Sequence, residues 1–290
     1  MIITVGDLVT DVLAVLRAPL APGSDTPATV HVSGGGQAAN TAAWLAWLGR
    51  QVTFVGAVGD DQAGRDRLAE LHAAGVHTIV SVRPGAGTGS IVVLTHGEER
   101  TMISDRGANL LLAPSDIDTA IAAGATTLHL SGYTLLDQAS RPAGQAALAA
   151  AKAAGLRTSV DAASAAPLLS ARDFLSWVRV ADLLIANADE AQALVGNADP
   201  SVLAEATGGQ AVVKLGPQGA LWAGPEGVIH VALEPVPVVD ATGAGDAFAA
   251  GLLAAWSTGA SPREALAEGC RLGSYAVGVI GARPPRISRA

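Results

Sequence analysis

The chain is poor in several things, and each shortage removes a class of function. One of its 290 residues is cysteine, Cys270, so no internal disulfide can form and the usage fits a reducing compartment. Aromatic residues make up 3% against 50% hydrophobic residues overall, which leaves alanine, valine and leucine to build the core. The net charge is −8 and the 18 lysines and arginines form no cluster, so neither nucleic acid nor an anionic membrane is an expected partner. The longest apolar stretch, Ala247–Trp256, falls far short of the roughly 20 residues that span a bilayer. The opening MIITVGDLVTDV has no basic region and is interrupted by Asp7, unlike a secretory leader; a cytoplasmic location is expected. No G-x-x-x-x-G-K-[ST], H-E-x-x-H or G-x-S-x-G string occurs, and the six histidines show no ligand spacing. P-loop kinase, zinc hydrolase and serine hydrolase readings therefore fall.

What is present is an alternation of short apolar runs and helical patterns. Strands are expected at Ile2–Val5, Val52–Val58, Thr127–Leu130, Thr158–Asp161, Leu183–Ala186 and Ala211–Leu215. Between them lie helical segments such as Arg65–Ala74, Gln145–Ala154, Leu168–Val178, Asp189–Val195 and Pro200–Ala206. Ser261-Pro262-Arg263-Glu264 is a capping box opening a last helix to about Val279. Pro114–Asp118, with Ser115 as cap, reads as another helix start. Such alternation implies a three-layer α/β/α, doubly wound, mostly parallel sheet, with ligands at the carboxyl ends of the strands. Two proline-broken or hairpin segments interrupt the rhythm, about 11–33 and 88–106, the second turning at His96–Glu99. They are expected to pair as a small sheet, a lid on a single domain spanning 1–290.

The stretch from Val236 to Leu253 concentrates the chemistry. Val236, Val238 and Val239 read as a buried strand ended by Asp240; Ala241-Thr242-Gly243-Ala244-Gly245 is a turn, and a helix follows. A glycine turn at a helix start gathers backbone N–H groups at the positive end of the helix dipole, a site for phosphate. Asp246 is the odd carboxylate there, expected to be kept ionised by the dipole and free to take a proton from a hydroxyl. A plain first-turn acid would look the same.

The whole string D-A-T-G-A-G-D resembles the C-terminal signature of the ribokinase-like (PfkB) carbohydrate kinases, with Ala241 where threonine is commonest. Gly35, Gly36 and Asn40 resemble the family's N-terminal G-G-x-x-x-N, and Gln37 stands where the family's namesake has lysine. Read alone, Gly34–Ala39 also matches a dinucleotide fingerprint, with Asp60 downstream, or a simple helix start. The resemblance implies an ATP-dependent kinase with Mg²⁺ and, as a candidate, K⁺. Asp246 would be the general base and Gly243, Ala244 and Gly245 the anion hole. Asp11, Gly35, Gly36, Asn40 and Arg106 would hold a small sugar or nucleoside. Asn187, Glu190, Lys214, Gly216, Gly219 and Thr242 would line the nucleotide, Glu190 reaching Mg²⁺ through water. Asp240, near Gly281–Ala282, would stand at a monovalent-cation site. Each has a plainer reading, as a strand-end acid (Asp11), a surface arginine (Arg106), a helix cap (Asn187, Glu190) or a solvated lysine (Lys214). The resemblance also implies a homodimer through the lid. A nucleoside acceptor would need an apolar slot, with Trp44, Trp47 or the lid as candidates. A non-catalytic regulator that binds nucleotide or sugar is the alternative from another class.

Overall fold

A computed structural model describes residues 1–285 apart from 97–98, 118–120 and 122–123. Among the described residues the strands form two sheets, one of nine strands and one of four. The large sheet begins at its own middle. β1 (Ile2–Val5) pairs in parallel with β4 (Val52–Gly59) on one side and β8 (Thr127–Ser131) on the other. Beyond β4 lies β5 (His77–Arg83); beyond β8 follow β9 (Arg157–Asp161), β10 (Leu183–Asn187) and β11 (Gln210–Lys214), all parallel. β12 (Ala220–Gly224) and β13 (Gly227–Val231) close that edge as an antiparallel hairpin.

Side chains alternate across the sheet, and both faces are buried. In β10, Leu183 and Ile185 enter one core with Trp44 and Leu252, while Leu184 and Ala186 enter the other with Leu148 and Leu203. That two-sided burial is why these strands read as continuous apolar runs. The first core is built on α1 (Gln37–Trp47) and the last two helices. The second is built on helices between β8 and β11, including Arg141–Ala153.

The small sheet takes β2 (Val9–Leu16), β3 (Ala28–Gly35), β6 (Gly89–His96) and β7 (Glu99–Asp105), in the order β3-β2-β6-β7. The turn expected at His96–Glu99 lies partly outside the described residues. No helix among the described residues is long and apolar enough to cross a membrane.

Several local expectations fail. Val236–Val239 is not a strand: Val238 and Val239 are more than half exposed, because Pro235 and Pro237 remove alternate N–H donors and deny the run a ladder. The strand β5 was not among those expected. The helix expected over Leu168–Val178 is two short pieces, Ala165–Leu168 and Phe174–Val178. Pro114–Asp116 is one 3₁₀ turn whose end is held by the Asp116 carboxylate on the Ala113 N–H rather than by Ser115; Asp118 lies outside the described residues. Gly34 and Gly35 finish β3 instead of opening the helix.

What positions a site is register. Asp161 lies opposite Ile185, and Asn187 opposite Lys214. Three adjacent strands therefore deliver an acid, an amide and an amine to one edge.

Candidate active site

The helix Ala244–Trp256 starts at that edge, with Gly243 as its N-cap in the left-handed conformation, φ 74°. A Cβ on Gly243 would stand 2.5 Å from the Cα and carbonyl oxygen of Ala282. Only glycine fits here, because the C-terminal segment lies directly against the turn. Ala282 is fixed in turn by Trp44, whose indole N–H donates to its carbonyl at 3.0 Å. The Asp240 carboxylate ties the turn to the same segment, accepting from the Thr242 and Gly281 N–H groups at 2.9 Å each.

The N–H of Ala244 is spent within the turn, on the Ala241 carbonyl at 3.3 Å, so it is not the free donor expected from the motif. The N–H groups of Gly243, Gly245 and Asp246 have no acceptor among the described residues. They belong to the orphan donors that any helix start leaves for a ligand. The Lys214 ammonium stands beside them, 3.4 Å from where a Gly245 Cβ would be.

Asp246 sits in the first turn, half-buried, and accepts from the Asn40 side-chain amide at 2.9 Å. Its ionisation differs from the expected one. Burial pushes its pKa well above the ordinary carboxylate value, Asp161 and Asp7 push the same way, and the Asn40 hydrogen bond and Lys214 only partly oppose them. Withdrawal from water outweighs the dipole.

Behind Asp246 runs a chain of polar contacts that sequence reasoning missed. Lys214 pairs with Asp161 at 2.8 Å, and the Asp161 and Glu190 carboxylates raise its pKa against its burial. Asp161 also accepts from the Gln37 amide at 2.8 Å, and Gln37 accepts from the Ser131 hydroxyl at 2.6 Å. The signal for Asp161 was available: it ends a buried strand at the same edge as Asn187 and Lys214. Asn187 and Glu190 form a complete capping box, each holding the other's N–H, with the Asn187 amide on Glu190 Oε1 at 2.8 Å. Burial raises the pKa of Glu190, offset by Lys214. Gly216 and Gly219 close the turn after β11, Gly219 donating back to Gly216 at 3.1 Å.

On the other side of Asp246, the Asp11 carboxylate lies over the bare backbone of Gly35. Gly36 is the N-cap of α1, and Asp7 accepts from the Gln37 N–H there at 3.2 Å. A carboxylate already seated on that helix start is incompatible with a dinucleotide pyrophosphate, so that reading of Gly34–Ala39 is dropped. Arg106 stands 3.7 Å from Asp7 with its guanidinium 4.4 Å from the centre of the Tyr133 ring, a braced residue rather than a free surface arginine. Arg283, unforeseen in the sequence, reaches in from the C-terminal segment to Asn40, Glu70 and Gly35. Trp44 is fully buried, and the ring of Trp47 stacks on Tyr275 with centroids 5.3 Å apart, so Trp44 offers no open slot to a base.

A protein-family model of pfkB family carbohydrate kinases matches residues 1–289. The chain belongs to this family. The ATP-dependent ribose-1-phosphate kinase of Halopiger xanaduensis is 33% identical over 275 residues, covering 93% of this chain and 89% of its own. Among solved structures, adenosine kinase from Sinorhizobium meliloti superposes with a TM-score of 0.87 at 27% identity, over 98% of this chain and 95% of that one. Fructokinase from Vibrio cholerae O395, with bound fructose, ADP and calcium, gives 0.79 at 28% identity, over 97% and 94%. This pfkB protein is a sugar or nucleoside kinase with the ribokinase-like fold.

Proposed function

We propose that this kinase transfers the γ-phosphate of ATP to a hydroxyl, in the simplest case a primary one, of a small carbohydrate, with Asp246 as general base. The carrying observation is a convergence at one helix start: a carboxylate held by Asn40, open N–H groups on Gly243 and Gly245, and the Lys214 ammonium. In this reading the acceptor's hydroxyls lie on Asp11, Asn40 and the backbone of Gly35 and Gly36, with Arg106 bracing the far wall. Asp246 takes the proton as the hydroxyl oxygen bonds to the γ-phosphorus and the bond from that phosphorus to the bridging oxygen breaks, ADP leaving. The Gly243 and Gly245 amides and Lys214 hold the charge that builds on the phosphoryl oxygens. Phosphoryl transfer needs little covalent help, so alignment and electrostatics supply most of the rate.

ATP would lie along Thr242, Lys214, Gly216 and Gly219, beside Asn187. Mg²⁺ characteristically keeps several waters and is held through substrate phosphates and one or two carboxylates. Glu190, buried with both oxygens already accepting from Asn187, fits a contact through water better than direct ligation. Bound there, the ion would neutralise phosphate charge. Asp240 and nearby carbonyls suit a weakly bound monovalent cation such as K⁺. Fructose, ADP and calcium in the Vibrio cholerae fructokinase support the sugar and nucleotide assignments by analogy. The raised pKa of Asp246, tuned as a catalytic base is tuned, favours an enzyme over a silent regulator.

Asp246→Asn should lower kcat by about 10²–10⁴-fold while leaving ATP affinity nearly unchanged, as read by ADP release and by nucleotide titration. Ordinary turnover in that variant would refute the assignment of the base.

The small sheet would act as the lid and also as a dimer surface. Val32, Val12, Val92 and Ile103 lie side by side across its four strands, with Val32 and Ile103 more than half exposed. A row of apolar residues left open to water favours a second copy. Val32→Lys with Ile103→Lys should shift the sedimentation mass from dimer to monomer; an unchanged mass would remove the proposal.

A further inference from the structure

Arg283 is the charged side chain that the reaction above does not use, and it occupies the acceptor end of the site. Its seat is built. A Cβ on Gly34 would fall 2.1 Å from Arg283 Nη1, so the guanidinium fills the space that this glycine leaves open. Nε donates to Asn40 Oδ1 at 3.2 Å, Nη1 to Glu70 Oε2 at 3.1 Å and Nη2 to the Gly35 carbonyl at 3.2 Å. Three of its five N–H groups are thus engaged, and one remains on each terminal nitrogen. The same Asn40 amide holds Asp246 through its nitrogen, so the guanidinium and the base are two hydrogen bonds and one amide apart, the reach of a small sugar.

Arg283 also shares its ion-pair partner and is largely withdrawn from water. Glu70 is shared: its other oxygen pairs with Arg67 at 2.6 Å, leaving two guanidinium groups on one carboxylate. Burial and Arg67 together outweigh the acids Glu70, Asp11 and Asp246, and the pKa of Arg283 falls to about 10. A neutral sugar would add nothing to offset that cost. Phosphate or carboxylate oxygens would, and a guanidinium fork fits both.

We propose that Arg283 selects an acceptor bearing an anionic group, the hydroxyl to be phosphorylated lying on Asp246 and the anionic oxygens lying on the guanidinium next to Gly34 and Asn40. This rests on the kinase reading and extends it to the substrate class.

The test compares D-ribose, α-D-ribose 1-phosphate and D-gluconate on the wild-type protein, by ADP release with ATP and by thermal shift without it. At least one anionic compound should raise the melting temperature and exceed ribose in kcat/KM by about 10- to 100-fold, the range for a hydrogen bond to a charged group. The two anionic arms tell phosphate from carboxylate. Arg283→Gln should collapse the charged-to-neutral ratio, mainly through KM, with Arg283→Lys in between; Arg106→Gln should leave that ratio standing. Ribose matching or beating both anions overturns the proposal, as does a ratio that survives Arg283→Gln or collapses with Arg106→Gln instead. If Arg283→Gln fails to fold, the wild-type panel decides alone. ADP from ribose only sinks this proposal and spares the kinase reading; no ADP from any acceptor, with no thermal shift from either anion, sinks both.

Discussion

The middle of the large sheet and its carboxyl edge bury polar groups by opposite means. In the middle, His129 on β8 is fully buried and shares a hydrogen with the Ser159 hydroxyl at 2.9 Å; among the described residues its Nε2 and the buried hydroxyls of Thr4 and Thr127 have no partner. Burial disfavours charge there: it lowers the His129 pKa to about 4. At the edge, Asp161, Glu190 and Lys214 each face an opposite charge or a hydrogen-bonding partner, and the Lys214 pKa is raised against its burial. The same strands thus run from an uncharged interior to an ionic rim.

Removing the rim's one amine should break this contrast most strongly. Lys214→Met strands Asp161 as a buried charge and should cost about 3–5 kcal/mol of unfolding free energy, measured by urea denaturation at neutral pH. A loss below about 1 kcal/mol would mean that the pair is already bathed in water. Next comes acid. His129 keeps its folded pKa below the unfolded value of about 6.5, so its contribution is intact above that pH and drains away as pH falls towards 4. Wild type should lose on the order of 3 kcal/mol over that span relative to His129→Asn, read as diverging melting temperatures.

The smallest effect sharpens the comparison, because at Asp246 the two demands collide. A carboxylate whose folded pKa is raised favours the fold below about pH 4 and loses that benefit as pH climbs through the raised value. Asp246→Asn should therefore be the more stable protein at neutral pH, by about 1 kcal/mol, with its advantage growing from pH 4 upward and then levelling. Activity runs the other way: kcat/KM of the wild type should fall on the acid side at a pH above the ordinary carboxylate value of about 3.9. Equal stability of the two proteins at pH 5 and pH 8 would remove the conflict.

Much of this was legible in the chain. Asp240–Asp246 and Gly35–Asn40 carried their own local signals, and the buried parallel strands read as apolar runs of the right length. The errors came where adjacent prolines were overlooked or where a local pattern was served from far away. Val236–Val239 looks like a strand until Pro235 and Pro237 are charged against it. Asp246 looks ionised beside its own helix, but burial in the folded chain, with Asp161 and Asp7 85 and more residues off in sequence, sets its environment. Arg283, in a proline-flanked tail, had no periodicity or motif to announce that it ends against Gly34.

The bridge between Asn40 and Asp246 spans 206 residues. Closing so long a loop costs entropy before the contact repays it, so this pairing is expected to lag local helix formation. After dilution from denaturant, circular dichroism should recover before turnover does, and a protease nick anywhere between these two partners would be felt in the pH profile sooner than in the helix content.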